Sequence, residues 1–123
     1  MKNAPLFRYA AMLSLAMLLG TSGVHAQSRS TDAARFTVHV SELTAATRDA
    51  VARDLTAGGN TRLVFSCVPA GLLVFESLNP ASREQVRERA LPLLQQRSGA
   101  ALITEIPIGL REAEAECAQT RDR

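Results

Sequence analysis

The chain is poor in the residues that most often carry chemistry. Its 123 residues include no tryptophan, one tyrosine, two histidines and two cysteines. Lysine occurs once, as Lys2, and methionine only as Met1, Met12 and Met17. No Gly-x-Ser-x-Gly turn is present to expose a nucleophile, which removes the Ser-His-Asp arrangement of acyl transfer. No Cys-x-x-Cys occurs, so neither cysteine has the close partner at a helix start that lowers a thiol pKa. The glycine pair Gly58-Gly59 follows a helical stretch, whereas a phosphate-cradling loop precedes one. The acidic run 112–116 is too short for a calcium loop and lacks its central glycine. A metal site built from Cys67, Cys117 and His39 would need convergence of ligands, one of which sits mid-strand. Glu76 and Glu105 also sit on strands, and a small domain rarely offers an acid and a base one shared cleft. The residues therefore predict no enzyme, no metal site and no cofactor.

What the sequence does have begins at its first residues. Lys2 and Arg8 precede an apolar stretch over 10–19, and Val24-His25-Ala26 places small residues where a signal peptidase cuts. Ten apolar residues span about 15 Å as a helix against a hydrocarbon core of about 30 Å, too short to cross. Residues 1–26 are therefore expected to be a secretory signal peptide, and the protein to be exported to a bacterial periplasm or secreted. Removing 26 of 123 residues leaves 97 and takes with it both Lys2 and Arg8, while the 12 acids all remain. The formal charge of +2 for the whole chain thus falls to zero. A neutral chain of mixed-sign charge has no electrostatic case for nucleic acid or an anionic membrane.

Residues 27–34 are small and polar and read as a flexible leader. Residues 35–123 then form one domain, with a C-terminal extension over 109–123. Alternation of Phe36, Val38 and Val40 with Thr37 and His39 predicts a strand over 35–40. Ser41 and Thr44 are both plausible caps for a helix burying Ala46, Ala50, Val51 and Leu55, stopped at Gly58-Gly59-Asn60. Two apolar runs, 63–68 and 72–76, flank Pro69-Ala70-Gly71 and read as a hairpin. Ser82 and Gln85 have capping-box spacing before a helix with Val86, Ala90 and Leu94 inward. Pro92 should kink or interrupt that helix. Alternation resumes over 101–108, and 110–118 reads as a short helix with Leu110, Ala113 and Cys117 on one side.

Strand, helix, strand, strand, helix, strand is the order of a ferredoxin-like α+β sandwich. That fold has a four-stranded antiparallel sheet with both helices on one face, here with a short C-terminal helix added. The first and third strands would be central, and the second and fourth would be edges. Another strand order in an open α/β sandwich, or a strand-swapped dimer, would use the same elements. The helix-covered face would carry Phe36, Val38, Val40, Leu63, Phe65, Leu73 and Phe75. The opposite face would carry Thr37, His39, Val64, Ser66, Val68, Leu72, Val74 and Glu76. Half of these eight are apolar, more than a bare face in water should show. Either the C-terminal segment folds beneath that face or another chain packs on it. His39, Val64, Val68, Leu72 and Val74 are the candidate interface.

Cys67 and Cys117 are expected to form one disulfide, since an even, minimal pair in an oxidising compartment reads so. Crossing the four strands takes three spacings of about 4.8 Å. The nine residues 109–117 could cover that partly as helix, strapping the C-terminal segment across one end of the sheet.

The run Val38-His39-Val40-Ser41-Glu42-Leu43-Thr44-Ala45-Ala46-Thr47-Arg48, leading into Val51 and Leu55, resembles the heavy-metal-associated domain. There a strand enters a Gly-Met-Thr-Cys-x-x-Cys loop and then a helix, and the resemblance covers about 36–108. With Thr44 on the family's threonine, Leu43 falls at the methionine, and Ala45 and Arg48 at the cysteines. Neither residue binds a soft metal. The resemblance thus implies a degenerate member without the copper or zinc site. The first expectation is an exported, non-catalytic domain for protein interaction or regulation. It would bind a partner protein or itself through the open sheet face or an edge strand. The alternatives are a soft-metal carrier of that family or a thiol-redox factor.

Overall fold

The computed structural model describes residues 33–123; the export segment and most of the leader lie outside the described residues. Strand β1 (Arg35–Val40) leads into helix α1 (Ala45–Gly58). The hairpin β2 (Thr61–Cys67) and β3 (Leu72–Ser77) follows, then helix α2 (Arg83–Ser98). A 3₁₀ turn at Ala100–Leu102 introduces the short strand β4 (Ile103–Glu105), and helix α3 (Leu110–Arg121) comes last. The result is an α+β fold around one antiparallel sheet of order β2-β3-β1-β4. β1 and β3 are central, and β2 and β4 are the edges.

Local chemistry explains where the helices start and stop. Thr44, not Ser41, caps α1: its hydroxyl accepts the Thr47 N–H at 3.1 Å. Gly59, at φ 80°, closes the helix by donating to the Leu55 and Thr56 carbonyls, a left-handed conformation that glycine takes without a Cβ penalty. Ala50, Val51 and Leu55 are buried, whereas Ala46, expected on the same face, is exposed. The capping box of α2 is complete: the Ser82 hydroxyl accepts the Gln85 N–H, and Gln85 Oε1 accepts the Ser82 N–H. This helix runs through Pro92 without interruption. Pro92 is exposed, so the bond it removes at the Glu88 carbonyl falls on the solvent side, where water can satisfy it.

Two layers cover the two faces of the sheet. On the α1–α2 face, Phe36, Val38, Val40, Leu73 and Phe75 pack with Leu43, Val51, Leu55, Val86, Ala90 and Leu94. On the other face, Leu72 and Val74 pack with Ala113 and Cys117 of α3 and with Cys67. The sheet face that the alternation left apolar is therefore roofed by the chain's own C-terminal segment.

The assignment of β2 to faces needs correction, and a bulge is the reason. Leu63 lies opposite Phe75 while Phe65 lies opposite Val74, so Val64 is an extra residue in the ladder. Beyond it the side chains exchange faces. Phe65 and Cys67 turn to the α3 layer, and Val68, expected there, packs on the α1–α2 core. The fourth strand is also shorter than 101–108. Ile106 still donates to the Thr37 carbonyl at 3.1 Å, but Pro107 has no N–H to continue a ladder. Thr37 Oγ1 instead donates to the Ile108 carbonyl at 2.9 Å, turning the chain under the sheet toward α3.

Candidate functional site

The Cys67–Cys117 disulfide is present, with Cα atoms 5.9 Å apart and 50 residues of separation. It is buried: the two residues are 1% and 3% exposed. β2 brings Cys67 to the hairpin end of the sheet. α3 starts beneath the opposite edge, where Glu112 accepts the Gly109 N–H, and crosses to bring Cys117 against Cys67. The bond closes the layer formed by Leu72, Val74 and Ala113. Its chemistry is that of a strap, because a sulfur shielded from solvent is closed to an attacking thiolate.

The five residues of the expected interface part company. Leu72 and Val74 are 1% and 0% exposed beneath α3, so they belong to the interior. His39, Val64 and Val68 are half-buried. His39 lies opposite Leu72 and Thr104 on the α3 side, with its ring against Gly71. That contact fixes the hairpin tip. Gly71 is at φ 67°, its carbonyl accepts the Val40 N–H at 2.7 Å, and a Cβ there would meet the Val40 carbonyl oxygen at 2.5 Å. Only glycine fits so close an approach.

The edge strand β2 differs from its neighbour β3. Leu63, Val64 and Phe65 are all half-buried, while Leu72, Leu73, Val74 and Phe75 of β3 are at most 1% exposed. An edge thus presents large apolar side chains beside backbone groups that lack a strand partner on one side. Arg62, exposed at its start, is 3.8 Å from Glu76, which also faces Arg35 at 3.5 Å.

The two strand-borne acids do not meet. Glu76 lies opposite Arg35 between two arginines, whereas Glu105 lies opposite Val38 and accepts a 2.8 Å bond from Arg87 of α2. The Glu105 carboxylate beside it raises the Arg87 guanidinium's pKa further above its ordinary value. At the loop that resembles the heavy-metal-associated domain, Leu43 is buried in the core and Ala45 is exposed. Arg48 is held by Asp49 at 2.8 Å. No group of three or more metal-capable side chains forms among the described residues.

Sequence reasoning missed a cleft of about 250 Å³ between the end of α1, the start of β2 and the middle of α2. Its residues come from 54–61 and 89–93, and their spacing within either segment carries no signal. No helix among the described residues is long and apolar enough to cross a membrane. Comparison with protein families, with curated proteins and with solved structures finds no match for this chain.

Proposed function

We propose that this is an exported, non-catalytic domain that binds another protein chain by strand addition at the β2 edge. The observation that carries the reading is the half-buried apolar row Leu63, Val64 and Phe65 on an edge strand whose inner neighbour is fully covered. An added strand would satisfy the free backbone groups and cover those side chains together. His39 and Val68, near the same end of the sheet, would border the contact, and Leu72 and Val74 would support it from within. Export is supported by the charged start, short apolar run and small-residue site of 1–26, and by a closed disulfide, which persists in oxidising compartments. The order β2-β3-β1-β4 with α1 and α2 on one face supports a ferredoxin-like plan. Distant kinship with heavy-metal-associated domains would fit that plan, with a salt-bridged Arg48 where a thiolate would be needed.

Val64→Lys tests the edge, because lysine there opposes pairing with a second strand without touching the disulfide or the main core. A photoreactive side chain at position 62 should cross-link a partner chain in the exporting cell, and Val64→Lys should abolish that cross-link at unchanged melting temperature. Cross-linking that persists in Val64→Lys would remove β2 from the reading.

A further inference from the structure

The cleft between α1, β2 and α2 lies away from both the disulfide and the β2 apolar row, and three features set it apart from a surface dimple. Thr61, in its wall, is 3% exposed, and its hydroxyl has no hydrogen-bond partner. A buried hydroxyl without a partner is costly, and native proteins rarely leave one so. Arg89, also in the wall, takes part in no ion pair among the described residues, unlike Arg87 two residues earlier. Asp54 is bound by Arg97 through Oδ2 alone, at 2.9 and 3.1 Å, which leaves Oδ1 for a second cation. Leu55, Gly58 and Leu93 complete the wall with apolar surface.

The wall thus carries one unpaired positive group, one half-used negative group, a buried hydroxyl and an apolar floor. We propose that the cleft binds a free α-amino acid with an apolar side chain. Its carboxylate would meet the Arg89 guanidinium and accept the Thr61 hydroxyl proton. Its ammonium would face Asp54 Oδ1, and its side chain would cover Leu55 and Leu93. A zwitterion uses both charges of the wall, whereas a simple anion would lie beside the Asp54 carboxylate. The volume suits one amino acid and excludes larger ligands.

Titrating the purified full chain with L-leucine should give saturable amide shifts centred on Leu55, Thr61 and Leu93, with a matching calorimetric isotherm. Arg89→Gln should weaken binding about tenfold by removing a charge-assisted hydrogen bond. Thr61→Val, which keeps the shape of the side chain, should weaken binding several-fold yet raise the melting temperature, because it removes the unpaired hydroxyl. Opposite signs in those two readouts separate a ligand contact from a folding defect. The comparison compounds 4-methylpentanoate and 3-methylbutylamine, each missing one charge, should bind less tightly than leucine. Absence of saturable shifts with leucine would overturn the proposal. So would equal binding by the two single-charge compounds, or leucine affinity unchanged by both substitutions.

Discussion

The two faces of this sheet are covered in different ways, and the difference shows what the C-terminal segment contributes. The α1–α2 face is filled by eleven buried residues contributed by three strands, two helices and the loop at Leu43. Each of those helices is tied to the sheet at both ends by a strand. The α3 face has five buried residues, two of which are the bonded cysteines. α3 is tied to the sheet at one end through Ile106 and Ile108, and its only other fixed point is Cys117. One face is held by packing. The other needs a covalent bond to keep a short helix in place.

Adjacent residues of β3 give the sharpest way to break that comparison. Leu73 and Leu72 are 0% and 1% exposed but point to opposite faces. Leu73→Ala should cost toward the upper end of the roughly 2–5 kcal/mol range for truncating a core leucine, because the layer above it is tethered at both ends and cannot collapse. Leu72→Ala should fall near the lower end, since α3 can settle into the space. Denaturant unfolding of the two variants measures the gap, and equal costs would show that the strapped layer is as rigid as the helix pair.

Removing the strap itself comes next. Closing a 50-residue separation is worth about 4 kcal/mol in the chain-entropy model. Cys67→Ala combined with Cys117→Ala should lose about that much global stability. Amide hydrogen exchange should show the loss unevenly: α3 amides should lose protection first, and those of β1, β3 and the inner faces of α1 and α2 last. Uniform loss across the fold would mean that the two layers form one cooperative unit.

How much of this was legible in the sequence differs between the same two layers. The period of Phe36, Val38 and Val40, the Ser82–Gln85 box and the Val86, Ala90, Leu94 spacing announce the α1–α2 layer, because local propensity and tertiary packing agree there. The α3 layer was legible only as a surplus: four apolar side chains on a face expected to be wet, and two cysteines in need of each other. The Val64 bulge was illegible, since Leu63-Val64-Phe65 satisfies a strand in either register and only the pairing with Phe75 and Val74 selects one. The short β4 follows from Pro107, whose missing N–H was visible but whose ladder was not. The cleft around Thr61 joins segments about thirty residues apart, so no local pattern could have assembled it.

The smallest effect belongs to charge. The Arg48 side chain, by hydrogen bonding to Asp49 at 2.8 Å, holds that carboxyl below its ordinary range, and the pair sits on exposed α1 rather than in either layer. A carboxyl with a lowered pKa in the folded state adds stability above its unfolded pKa and loses it as pH falls through its folded pKa. Exposed pairs contribute little, because solvent screens them and two long side chains must be ordered. Asp49→Asn should therefore leave the melting temperature at neutral pH almost unchanged and slightly flatten its decline in acid. A large acid-dependent difference between the two proteins would relocate the pH sensitivity of the fold from its buried layers to the start of α1.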